Sequence, residues 1–245
     1  MVWRAARRRN LLGALQHDAS PSPTRDAQRY LAPHQETTVT QRLEAFCDGV
    51  FAFALTLLII DVHAPEAGPG DSAPDLWSAL SHLGPAIFAF LLSFAVILVT
   101  WINHHNTLKL VHRNSAAFMY ANGLLLLSVV CIPFTTSLLG AFVLTNAAAP
   151  AVTIYNAALA VQAIGWLAIA ETALRSRLCI DEHAAHALRQ RRISGYDALS
   201  LYAALAVVAS WLPRAVAVTT AATWLFWLIL SLRIRAPEPA DASTT

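Results

Sequence analysis

Apolar residues along this chain gather into long blocks separated by short polar stretches. Five blocks meet or approach the roughly 20 residues a helix needs to cross a hydrocarbon core about 30 Å thick. They are residues 85–103, 116–142 (interrupted by Pro133), 147–170, 198–212 and 215–232. A sixth block, RLEAFCDGVFAFALTLLII at 42–60, is less regular, because only residues 49–60 are uncharged between Asp48 and Asp61. That uncharged part covers about 18 Å of helix, short of a crossing. The first span must therefore run from about Thr40 to Val62 and carry polar ends into the membrane. The pattern predicts an all-α polytopic membrane protein with six transmembrane helices and no room for a strand-based domain.

Composition sharpens this picture. The 245 residues are 56% hydrophobic and 13% charged, about half the charge of a soluble domain. Sixteen of the seventeen basic residues fall in alternate connections, leaving Arg214 alone on the opposite side. By the positive-inside rule both termini are cytoplasmic. The expected setting is the plasma (inner) membrane, with the lipid bilayer as partner and no nucleic acid. Residues 1–39 read as a disordered or lipid-surface tail, 40–235 as the transmembrane domain and 236–245 as a disordered tail. The three cysteines, Cys47, Cys131 and Cys179, build neither a disulfide framework nor a metal motif. Neither a phosphate loop nor a nucleophile–base pair is recognisable, so no enzyme is expected. Arg189, Arg191 and Arg192 fit either lipid-headgroup binding or topology-setting charge.

Ionisable and polar groups at membrane depth are costly and rarely face lipid. Here they cluster at the cytoplasmic ends of three spans. The first span brings Arg42 and Asp48, the second ends in WINHHN with Trp101, His104 and His105, and the third begins with Tyr120 and Asn122. His104 and His105 project about 100° apart on a helix, which favours a hydrogen-bonded clamp between spans over one shared metal. Such a clamp would satisfy Asp48 in a low dielectric. At about 100° per residue, Phe46, Gly49, Phe53, Thr56 and Ile60 form a separate stripe on the first span. That stripe either packs among neighbours, with Thr56 bonded back to the Ala52 carbonyl, or lines a pore in an oligomer.

The stretch RLEAFCDGVFAFALTLLIIDV resembles the RxxxFSD signature of the bacterial relatives of the lysosomal potassium channel, transmembrane protein 175. The resemblance continues through SFAVILVTWINHHNTLKLVHR and NGLLLLSVVCIPFTTSLLG, covering about residues 42–140. It implies a homotetramer of six-helix subunits around a central pore lined by the first helix, without a re-entrant filter. It further implies a potassium-permeable, weakly selective cation channel needing no cofactor, with K+ as the permeant ion. The matching positions are Phe53, Thr56 and Ile60 for constriction and selectivity. Arg42, Phe46 and Asp48, with Trp101, His104, His105 and Asn122, match the motif and inter-helix network. Two departures stand out: Cys47 replaces the motif's serine, and Phe53 replaces an aliphatic residue. The alternative is a proton-coupled transporter or proton pathway through Asp48 and the two histidines.

Overall fold

A computed structural model describes residues 25–60, 62–65 and 72–233. They form seven helices: α1 (Arg25–Ile60), α2 (Ala73–His82), α3 (Gly84–Leu108), α4 (Ala116–Phe142), α5 (Ala148–Arg175), α6 (Glu182–Val208) and α7 (Pro213–Arg233). Four of them, α1 from Gln41 and the whole of α3, α4 and α5, are long and apolar enough to cross a membrane. The terminal stretches 1–24 and 236–245 lie outside the described residues.

Helix α2 is one that the pattern of apolar blocks did not predict. Ser72 starts it through a capping box, its backbone amide donating to Asp75 Oδ2 at 3.0 Å. Pro74 falls in the first turn, where a missing N–H costs nothing. Leu76 and Trp77 stand exposed on this short helix, an arrangement suited to a membrane interface rather than a crossing.

The block at 198–212 is also redrawn. Asp181 caps α6 by accepting from the Ala184 amide at 2.7 Å, so the helix begins among charged residues and ends at Val208. Its first half is polar, which is why α6 lacks a full-length apolar span. At the other end, α1 starts at Arg25, ahead of the boundary expected near residue 40. Residues 25–32, RDAQRYLA, are mostly good helix formers.

Helices α4, α5 and α6 pack in sequence through the two most extensive interfaces, while α1 rests on α3 and α4 at the edge of the bundle. Close approach rests on small residues. A Cβ at Gly165 of α5 would lie 2.8 Å from the Leu125 Cα of α4, and one at Gly140 of α4 would lie 2.9 Å from the Ala86 Cα of α3. Backbones brought this near gain the van der Waals contact that drives helix association in lipid.

Buried polar groups are paired across helices. Tyr155 and Ser93 hydroxyls lie 3.0 Å apart, Gln162 donates to Thr100 at 2.8 Å, and Thr220 donates to Asn156 at 2.9 Å. At the arginine-rich end, Val111 and Cys179 form an isolated antiparallel bridge that ties the α3–α4 connection to the α5–α6 connection. His112 N bonds Leu178 O and Ile180 N bonds Leu110 O beside it.

Candidate functional site

Helix α1 divides cleanly into two faces. Cys47, Phe51, Ala54 and Leu58 are almost fully buried and merge into the main core with Ala89, Val96 and Ile97 of α3. This face repeats at helical spacing of three and four residues, which is what a single buried seam requires. Phe46, Phe53 and Ile60 are 63%, 60% and 64% exposed on the other side, and Gly49 and Thr56 are exposed with them. Among the described residues nothing else covers that stripe.

Thr56 does not bond to Ala52, as the packed arrangement required; its hydroxyl donates to the Phe53 carbonyl at 2.8 Å. The proton is thereby directed back along the helix. The hydroxyl oxygen keeps lone pairs free to accept or to coordinate.

The polar groups near the start of the apolar run hold α1 to its neighbours. Trp101 Nε1 donates to Asp48 Oδ1 at 2.8 Å, linking α3 to α1. His104 is buried, with Nε2 2.8 Å from Asn122 Oδ1 of α4, and its ring lies 5.4 Å from that of Phe51. Asn122 also donates to its own helix at the Phe118 carbonyl, at 2.7 Å. That leaves its Oδ1 facing the imidazole and fixes Nε2 as the protonated nitrogen. His105 Nδ1 sits 2.7 Å from Glu44 Oε1, off the line of a hydrogen bond. The Trp101 and His105 rings stack at 6.3 Å.

Of the predicted network, the structure gathers Asp48, Trp101, His104, His105 and Asn122. It leaves two members apart from this cluster. Arg42 is exposed and makes no ion pair among the described residues, and Phe46 joins the exposed stripe. Glu44 was missed, although its spacing of four from Asp48 already put both carboxylates on one face of the helix. Glu171 pairs with Arg175 one turn on and is also held at 3.0 Å by Arg192 of α6. Among the described residues no group of three or more His, Cys, Asp or Glu is placed to hold a metal.

These features define a multi-helix membrane protein with one pinned helix that presents an uncovered apolar stripe bearing a single hydroxyl. Residues 42–133 match the family model described as the endosomal/lysosomal potassium channel TMEM175. The chain is similar in structure to a lysosomal potassium-selective channel TMEM175 homolog from Chamaesiphon minutus. The TM-score is 0.67 at 34% identity, over 81% of this chain and 100% of that one. The chain belongs to the TMEM175 family.

Among curated relatives, a potassium channel of Chamaesiphon minutus is 45% identical over 120 residues, 49% of this chain and 59% of the relative. A potassium channel of Streptomyces collinus is 41% identical over 132 residues, 51% of this chain and 62% of the relative. The human endosomal/lysosomal proton channel TMEM175 is 34% identical over 113 residues, 42% of this chain and 21% of that protein. The chain thus spans less than two thirds of the length of these curated relatives.

Proposed function

We propose that this chain is a subunit of a potassium-permeable, weakly selective cation channel, and that it works as a homotetramer with α1 lining the central pore. The observation that carries the reading is the division of α1. One face is locked into the core and clamped through Asp48, while the opposite stripe, Phe46, Gly49, Phe53, Thr56 and Ile60, is bare. The strip carries the Thr56 hydroxyl at membrane depth, so a protein or water-lined surface opposite suits it better than lipid does. Rotational symmetry supplies one by placing the same helix of each subunit around a shared axis.

In such a pore Phe53 and Ile60 form apolar rings that an ion must pass partly dehydrated. Thr56 lies between them, and its free lone pairs replace part of the lost hydration. Rings of four hydroxyls and no backbone-carbonyl cage favour K+ over the more strongly hydrated Na+ only modestly. The Phe53 rings either close the axis or turn their faces toward the cation, a contact worth about 0.5–2 kcal/mol. The Asp48, Trp101, His104 and Asn122 set positions α1 without touching the ion. Six of the helices cross the bilayer in this reading, with α2 on the surface and the arginine-rich end in the cytoplasm of a bacterial plasma membrane.

Reconstituted liposomes test it. Thr56→Ala and Phe53→Ala are expected to change K+ flux while the protein keeps its oligomeric state. Flux untouched by both, but abolished by Asp48→Asn, would replace this reading with a second one. That second reading, proton flow by way of Asp48 and the His104/His105 cluster, is favoured by one observation. Acid and imidazole groups of Glu44, Asp48, His104 and His105 lie close together at the helix crossing.

A further inference from the structure

Helices α3, α5, α6 and α7 enclose a cavity of about 310 Å³ that the channel reading does not use. Its volume reaches the lower end of the range of sites that bury small molecules. At the arginine-rich end its wall includes Arg191, half-buried, whose Nη1 donates to the Asn103 carbonyl at 3.0 Å and to the Thr107 hydroxyl. No carboxylate lies within ion-pair range of Arg191 among the described residues; Glu171 is taken by Arg175 and Arg192. A guanidinium carries five N–H donors, and only those on Nη1 are engaged by described residues. A charge withdrawn from water without a counter-ion is costly, and an anion relieves that cost.

The rest of the wall includes the aromatic side chains of Trp166, Tyr202, Trp224 and Trp227. From Arg191 to Tyr202 along α6 the distance is roughly 16 Å. The cavity is therefore a slot with a cationic head and a long apolar body.

We propose that this slot binds an anionic phospholipid of the adjoining leaflet, with its phosphate on Arg191 and one acyl chain laid along Tyr202 and Trp227. Charge and shape together select this occupant. A free phosphate fits Arg191 but leaves the aromatic body empty, and a zwitterionic lipid brings its own ammonium to a wall whose one charged group among the described residues is the cation Arg191. The site is separate from the α1 stripe, so its failure would leave the channel reading standing.

The test is titration of delipidated full-length protein with dilauroylphosphatidylglycerol, dilauroylphosphatidylcholine and inorganic phosphate, read by native mass spectrometry and tryptophan fluorescence. Saturable phosphatidylglycerol binding is expected, at least tenfold tighter than phosphatidylcholine. Arg191→Gln should weaken it about ten- to a hundredfold, the scale of hydrogen bonds to a charged group. Because Arg191 also ties α6 to α3, Ala198→Phe, which fills the slot without touching the arginine, should weaken binding as much. Equal affinity for phosphatidylcholine would overturn the proposal. So would displacement of the lipid by inorganic phosphate at comparable concentration, or undiminished binding in Ala198→Phe.

Discussion

Replacing Trp101 by Phe isolates the bond that pins α1. The phenyl ring keeps most of the packing of this side chain against the main core, while the indole N–H that reaches Asp48 Oδ1 at 2.8 Å is lost. A hydrogen bond to a charged group contributes about 1.5–3 kcal/mol, and the half-buried carboxylate left behind adds its own desolvation cost. For a domain of this size each kcal/mol moves the midpoint by about 2–4 °C, so Tm should fall by about 3–12 °C. Thermal unfolding in detergent, followed by helical circular dichroism, reads it directly. The companion Asp48→Asn and the double variant close a thermodynamic cycle. A coupling energy of about 1.5 kcal/mol or more is expected, because removing either partner removes the same bond. A shift below 1 °C, or strictly additive single effects, would refute the claim that this bond holds α1 in place.

Other outcomes follow from the same geometry. Gly165→Ala drives a methyl into the Leu125 backbone, and overpacking of this kind costs about 1–3 kcal/mol, visible as a lower Tm with α4 and α5 forced apart. The Asp75 carboxyl, held below the usual carboxylate range by the hydroxyl and then the amide of Ser72, stabilises the start of α2 at neutral pH. That contribution is fully present above the ordinary carboxylate pKa and disappears as pH falls through the lowered value. Hydrogen exchange of the first-turn amides of α2 should therefore accelerate in acid in the native chain, but not in Asp75→Asn. Burial raises the Cys179 thiol above its ordinary range, so maleimide should label it slowly at pH 7 and faster above pH 9. If the arginine-rich end is cytoplasmic, a membrane-impermeant maleimide should reach Cys179 only from that side.

The sequence was most informative where side chains repeat at helical spacing along one element. The stripe of Phe46, Phe53 and Ile60 and the opposing Asp48 were separable by angle alone, because both lie on α1. The meeting of Asp48 with Trp101, and of His104 with Asn122, needed only the rule that polar groups at membrane depth seek one another. Glu44 escaped notice because an acid beside an arginine two residues away reads as a local surface pair.

Helix α2 was hidden because its boundary depends on a capping box of two residues inside an acidic, proline-bearing loop. The start of α6 at Glu182 was hidden for a related reason: hydropathy measures the apolar run and ignores the polar turns that precede it. The cavity around Arg191 was beyond reach altogether. Its wall draws on four helices, and the absence of a carboxylate near Arg191 is a fact of tertiary packing.

The central claim, an ion path along the bare stripe of α1, is tested most directly by single-channel recording of the purified protein in planar bilayers under a potassium–sodium gradient. The account predicts discrete openings whose reversal potential lies on the potassium side. Thr56→Ala should move that potential toward zero, and Phe53→Ala should raise conductance. Silence at every voltage from folded, oligomeric protein, or openings indifferent to both substitutions, would contradict it.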